Sequence, residues 1–396
     1  MQLILFDSPA VRTALLPLTY ARPVADLRLG SLTIAEKWAR QLECPVSYLT
    51  QDYLRERYPF QSGQSNLLID GSLLPTVELL SFVRELPLNT IYYAADELMV
   101  AHLDPEQLAT YARDETLALP RHELPHLPLL RITRPADLFL HNDRALRDDF
   151  DLVTNGRISA ALPKSNRLIG PADQLFIEPG VDIESCTLST RSGLIYIGRE
   201  AVVLEGGMFR GPLAINAGAI VKMGAKIYGG TTIGDRCKVG GEISNVVFQA
   251  NSNKGHDGYL GNAVIGEWCN LGAGTDASNL KNDYGEVKVW SYAQRAMQPS
   301  GLQFHGLIMG DHCKTGIGTT LNTGTVIGFS SNVFGAGFPP SFVPSFSWGG
   351  AGELATYRLE KAVATAERVM ARRGETFGSF EEEVFRRVFA DSERYR

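Results

Sequence analysis

The chain has 396 residues, 38 Lys+Arg against 44 Asp+Glu for a formal charge of −6, and 44% hydrophobic and 21% charged residues. This length suits two or three domains with ample core, and the composition excludes wholesale disorder. A mildly acidic chain without long Lys/Arg runs also excludes backbone-driven nucleic-acid binding. Glycine, at 39 residues, exceeds the usual share of about 7%.

The N-terminal MQLILFDSP lacks a basic region before its apolar run, so it reads as a first buried strand and not a signal peptide. No stretch reaches the ~18 consecutive apolar residues of a membrane span. Residues 1–160 alternate strand-like runs (LILFD, PVSYLT, NLLID, TIYYAA) with helix-like ones (LTIAEKWARQL, TVELLSFVREL). That alternation predicts an α/β domain with a mostly parallel sheet. Leu138–Phe150 reads as a further helix, and residues 155–166 as a connector.

Downstream the pattern changes. Stepping by six from Ile197 meets Val203, Phe209, Ile215, Val221, Ile227, Ile233 and Val239, all apolar. The step recurs through Tyr259, Ile265 and Leu271, again from Met309 through Thr315, Leu321 and Ile327 to Val333, and upstream from Ile177 to Ile183. A helix of period 3.6 would smear a six-residue repeat around its circumference. The repeat instead predicts a left-handed parallel β-helix of hexapeptide repeats, each unit a short strand and a turn with its apolar residue pointing inward.

Two interruptions, about 245–258 and 275–306, read as insertions on a binding face. Beyond them, residues 353–373 carry Leu359, Val363, Ala366 and Met370 at amphipathic spacing, and Gly374 stops that helix. A second helix is expected after Ser379 as its N-cap. The expected domains are thus 1–160, α/β; 161–345, β-helix; and 346–396, a helical tail. The five cysteines are scattered, with no CxxC pair and no zinc spacing, which predicts reduced thiols in a cytoplasmic protein.

The stretch GHDGYLGNAVIGEWCNLGAGTDASN, residues 255–279, combines a glycine-flanked histidine with Tyr and Asn at fixed offsets. It resembles the acetyltransferase half of the bifunctional N-acetylglucosamine-1-phosphate uridyltransferase/glucosamine-1-phosphate acetyltransferase family. LPLTYARPVADLRLGSLTIAEKW, GPLAINAGAIVKMGAKIYG, NSNKGHDGYLGN and FVPSFSWGG resemble its variant, Bacteroidetes-type branch.

The resemblance implies acetyl transfer from acetyl-CoA to an amino-sugar phosphate, glucosamine 1-phosphate in the family, by a homotrimer. It makes His256 the general base, a role that suits an imidazole titrating near neutrality. It makes Glu242 the acid that orients the base, and places Asn279 near the acetyl group. Tyr259 and Asn270 match sugar-phosphate contacts, Lys226 stands for a phosphate-binding Arg, and the backbone of Ala273 faces the thioester. Lys for Arg keeps charge but loses the bidentate fork. A second phosphate-binding Lys of the family falls on Ser244, which Lys254 nearby would replace, and a Ser near the acyl donor falls on Ile317. Bland alternatives stay open: Lys226 as a solvated charge, and Glu242, Asn270 and Asn279 as corner residues.

By the same resemblance the N-terminal domain is nucleotidyltransferase-like, with UTP and Mg²⁺ as its ligands. Where the family has a Gly-rich loop this chain has LILFDSPAVRTALLPLTYARP, without glycine, so Arg12 and Arg22 would have to supply the charge. Asp70 is the nearest counterpart of the metal ligand, and Asp70-Gly71 is equally a common turn. Uridylyl transfer therefore stays open, as do a non-catalytic sugar-nucleotide-binding or regulatory subunit and a nucleotidyltransferase alone. A β-helix hydratase using His256, His305 and His312 on zinc is a further alternative.

Overall fold

The computed structural model describes residues 1–114 and 116–396. The chain divides into two compact units. One comprises Met1–Leu15, Ala21–Leu27 and Leu32–Arg134; the other comprises Leu16–Tyr20, Arg28–Ser31 and Pro135–Arg396.

The first unit is an α/β sheet. Strands Gln2–Phe6, Val46–Leu49 and Asn66–Asp70 pair in parallel with the first in the middle, and buried Leu3, Ile4, Leu5, Leu67, Leu68 and Ile69 give them a core on both sides. The sheet is mostly parallel: Thr90–Ala94 and Arg121–Glu123 pair in parallel and run the same way as the first three strands, and one strand opposes them. Glu97–Leu103, a strand the alternation does not announce, runs antiparallel to both Asn66–Asp70 and Thr90–Ala94. Helix Ile34–Leu42 starts on a capping box in which Thr33 and Glu36 satisfy each other's backbone amides. Helix Val77–Arg84 starts on Thr76, whose hydroxyl accepts from the Leu79 amide.

The second unit is the parallel left-handed β-helix. Its strands stack into three ladders, one per face of a triangular prism. The first face runs through Leu175–Ile177, Ile195–Ile197, Leu213–Ile215 and Thr231–Ile233. The second runs through Asp182–Ile183, Val202–Val203, Ile220–Val221, Lys238–Val239 and Asn253–Lys254. The third runs through Thr187–Ser189, Met208–Arg210, Lys226–Ile227, the first halves of the bent strands Glu242–Phe248 and Tyr259–Ile265, and Asp276–Ala277, while the second halves of those two strands continue the first face. The eight apolar positions from Ile197 to Val239 are all at most 3% exposed.

Two details differ from the sequence reading. The stretch 245–258 is no insertion. Strand Glu242–Phe248 bends at Asn245, which takes a left-handed φ of 55°, and Asn253–Lys254 rejoins the second face. Consequently Leu260, fully buried, occupies the inward position, while Tyr259 points outward and is only half-buried. Of the stretch 275–306, Asp276–Ala277 stays on the third face, and the chain then leaves the prism as an antiparallel hairpin of Lys288–Ser291 with Ala296–Pro299.

Residues 135–154 form two helices, Pro135–Leu140 and Asn142–Thr154, within the β-helix unit. The C-terminal helices span Leu359–Ala371 and Ser379–Asp391. The first begins after a short strand, Leu354–Thr356. The second is capped at Gly378, whose amide donates to Glu381 at 2.9 Å, so Ser379 is already helical. Phe385 packs edge-on against Phe329 and His312, both at 5.0 Å between centroids. No helix among the described residues is long and apolar enough to cross a membrane.

Candidate active site on one edge of the β-helix

Where the second face turns into the third, the corners of successive coils stack into one edge. The amide of Gly224 donates to Glu205, that of Gly274 to Asp257, and that of Gly318 to Ala273. His256 sits on this edge, exposed, in the four-residue corner 255–258. The corner of the coil before it is only Gly240-Gly241. A Cβ on Gly241, which has a φ of 79°, would come within 2.7 Å of the Gly258 carbonyl and 3.0 Å of the His256 carbonyl. Only glycine lets the His256 corner settle so close.

The third face adjoining this edge presents an outward row set by strand register. Lys226 pairs with Glu242, and Glu242 with Tyr259. Leu260 opposite Ala277 puts Asp276 next in the row, and its carboxylate accepts from the Tyr259 amide at 2.6 Å. Lys226 is exposed and Glu242 half-buried. Asp276 is absent from the sequence-level candidates, although it lies one coil beyond Tyr259; counting by coils would have found it.

Asn279 donates to the Asn262 side chain at 2.6 Å. With its amide turned to satisfy both neighbours, Asn245 accepts from Asn262 in turn, so three asparagines form a ladder along the bend. Gly261 leaves room there for the Tyr259 hydroxyl and the Asn279 amide, both within contact of where its Cβ would lie. Burial raises the Tyr259 phenol above its ordinary pKa, with Glu242 and Tyr228 adding to the rise and a hydrogen bond from Asn279 opposing it.

Asn270 lies on the second face, across the edge from Tyr259, bridging Asn253 and Lys314. The Asn253 amide donates to its side chain at 3.3 Å, and Arg373 donates to Asn253 at 2.6 Å. Ala273 stands on the edge in the coil after His256, and Ile317, 87% exposed, in the coil after that. This edge and the third face beside it bring together His256, Ala273, Lys226, Glu242 and Tyr259, with Asn270 on the far side of the edge and Asn279 at the opposite border of the face, in line with the bend at Asn245. Lys254 departs from the expectation. It is 1% exposed and lies inside the coil, so it does not replace the missing phosphate ligand.

His305 and His312 are buried elsewhere. His305 meets Phe139 edge-on at 5.4 Å, and His312 stacks on Trp268 at 6.3 Å. Among the described residues no group of three His, Cys, Asp or Glu is arranged to hold a metal.

In the first unit the candidate nucleotide and metal residues are engaged internally. The Arg12 guanidinium, 7% exposed, donates to Asp7 at 2.8 Å, to the Arg22 carbonyl at 2.9 Å and to Tyr53 at 3.0 Å. Arg22, 4% exposed, lies 3.9 Å from Asp26. The segment carrying Arg22 is tied down by the Val24 amide, which donates to Asp7 at 2.8 Å. Helix Pro9–Ala14 has no side-chain cap and only six residues. Asp70 accepts from the Ser72 amide and hydroxyl with one oxygen, while the other lies 3.2 Å from Arg131. Desolvation raises its pKa against the pull of Arg131 and Ser72, and Asp7 adds to the rise. A bound Mg²⁺ needs free carboxylate and phosphate oxygens, and here it would have to displace Arg131. These residues do not fit the ion.

An α/β unit with a core of parallel strands, followed along the chain by a left-handed β-helix with a histidine on a glycine-lined edge, is an architecture that suits a transferase. Residues 3–158 match the family model described as sugar nucleotidyl transferase. A bifunctional sugar-1-phosphate nucleotidylyltransferase/acetyltransferase from Sulfurisphaera tokodaii is 35% identical over 106 residues, 26% of each chain. A bifunctional protein GlmU from Methanocaldococcus jannaschii is 36% identical over 87 residues, 22% of this chain and 21% of its own. The matches thus span about a quarter of those relatives' length. Among solved structures, the polySia specific acetyltransferase NeuO covers 51% of this chain and 98% of its own at 13% identity, with a TM-score of 0.30; no functional likeness follows from so low a score.

Proposed function

We propose that the β-helix transfers an acetyl group from acetyl-CoA to the amine of an amino-sugar phosphate, glucosamine 1-phosphate being the substrate that the family resemblance implies. The amine attacks the thioester carbonyl, forming the C–N bond as the C–S bond breaks. His256 takes the amine proton, and the thiolate leaves to become the CoA thiol. Lys226 supplies charge for the sugar phosphate, Tyr259 and Asn270 hold the sugar, Glu242 orients the base, and Asn279 and the Ala273 backbone border the acetyl group.

The observation that carries this reading is the edge itself. An exposed histidine stands on it, with a Lys–Glu–Tyr–Asp row on the adjoining face and the backbone of the Ala273 corner in the next coil. The homologous bifunctional proteins agree with it in class. In His256→Ala, acetyl-CoA-dependent acetylation of glucosamine 1-phosphate should fall by about 10²–10⁴-fold with the thermal midpoint unchanged. Full activity in that variant refutes the assignment.

For the first unit the internal pairing of Arg12, Arg22 and Asp70 favours sugar-phosphate or nucleotide binding without uridylyl transfer. Incubation with UTP, Mg²⁺ and N-acetylglucosamine 1-phosphate should release no pyrophosphate, and sustained release overturns this second reading. We also propose a cytoplasmic homotrimer. Five free thiols support the compartment, and the exposed apolar Ile317, Phe334 and Trp348 support self-association. Light scattering of the purified chain tests the trimer.

A further inference from the structure

Lys254 occupies a position meant for an aliphatic side chain. Register places it between Val239 and Leu271 on the inward ladder of the second face, where Val203 and Val221 precede it. Those four residues are at most 2% exposed, and Lys254 itself is 1% exposed. A lysine is almost never so deeply buried unless its ammonium is paired or hydrogen-bonded.

Its ammonium turns toward the edge. It donates to the His256 carbonyl at 2.9 Å and more loosely to that of Gly240 at 3.5 Å. Gly258, with a φ of 125°, leaves it room: a Cβ there would stand 3.3 Å from the ammonium nitrogen. The ammonium therefore ties the corner bearing His256 to the Gly240-Gly241 corner of the coil before. The charged groups facing it are Asp276 from the third face and Asp257 from the corner, both favouring the cation. Lys222 lies beyond Gly240 and Gly255 on the same edge.

We infer that Lys254 is a positioning residue for His256, holding from inside the coil the backbone corner on which the exposed imidazole stands. This rests on the acetyl-transfer reading above. Burial lowers the Lys254 pKa to about 8, with Asp276 and Asp257 opposing the fall. A neutral amine holds a carbonyl less strongly than an ammonium. The corner is thus held firmly below that pH and slackens above it. A valine or methionine at this site would pack without any buried charge, so the lysine is placed against the interest of the core. Local choices that oppose the fold mark functional positions.

The test uses the full chain with Lys254→Met and Lys254→Gln, assayed for acetyl-CoA-dependent acetylation of glucosamine 1-phosphate across pH 6.5–10. Wild-type kcat should fall as pH rises through about 8. In Lys254→Met, kcat at neutral pH should drop at least tenfold with KM for acetyl-CoA within twofold, and the alkaline fall should vanish. Lys254→Gln, which keeps a neutral donor, should recover part of the loss. Wild-type kcat in Lys254→Met, or an unchanged alkaline fall, overturns the inference.

If neither variant folds, a wild-type kcat flat across pH 8 overturns it and a fall supports it. Should the wild type acetylate nothing, the functional reading fails by itself. Hydrogen exchange of the 255–258 amides then decides the role of Lys254: protection lost in Lys254→Met supports it, and protection retained overturns it.

Discussion

The two units treat their charges in opposite ways. At the carboxyl ends of the parallel strands in the first unit, Asp7 and Asp70 each close onto a guanidinium, Arg12 at 2.8 Å and Arg131 at 3.2 Å. On the edge of the β-helix, His256 and Lys226 are exposed and Glu242 is half-buried. Open α/β sheets bind ligands in the crevice at those strand ends, yet here the crevice residues are spent on one another. A match to a transferase family model therefore says less about a site than whether its polar groups are left to face a ligand.

The contrast can be broken at several points. The largest effect is the loss of acetylation in His256→Ala. Arg131→Ala comes next, because it leaves the Asp70 carboxylate, 1% exposed, without its cation. A cost of about 3 kcal/mol is expected at pH 7 by urea unfolding. The Asp70 pKa is already raised, and removing Arg131 raises it further. Above that pKa the folded state carries a buried anion, so the cost should shrink as pH falls and the carboxyl takes up a proton. Acetyl transfer should not change, and a parallel loss of it would erase the distinction between the units.

Lys254 provides a smaller, opposite effect on stability. Its folded pKa of about 8 lies below the ordinary lysine value, so between the two the unfolded chain binds the extra proton. Wild-type stability relative to Lys254→Met should therefore rise with pH across that window, by at most ~1.4 kcal/mol per pH unit. Urea unfolding of both proteins at pH 7.5 and 9.5 checks the sign. The smallest effect is expected for Tyr259→Phe, which deletes the hydroxyl beside Asn279 and raises KM for the sugar phosphate several-fold with kcat little changed. Initial-rate kinetics check it.

Much of the β-helix was legible because its rule is local. A six-residue spacing carries the inward residue of each coil, so Ile197 through Val239 all land in the core. The rule failed where the chain bends at Asn245. There the coil shortens from 18 residues to 15, Val239 pairing with Lys254, so the phase is lost: Lys254 turns in and Tyr259 outward. Stepping back six from Leu260 lands on Lys254, but the six-residue step read through Tyr259 passes through neither residue. His256 and its neighbours were readable from motif alone, but Asp276 and the asparagine ladder were not, since only stacking of coils makes them adjacent.

By itself the sequence determined the solenoid, its apolar ladders and the histidine-bearing corner, because each depends on spacing within a few residues. Only the tertiary structure decided which charges are already paired. Arg131 reaches Asp70 across 61 positions, and Lys226, Glu242, Tyr259 and Asp276 meet solely through register between coils. Pairing between distant residues follows from how strands are ordered and stacked, and no local spacing encodes it.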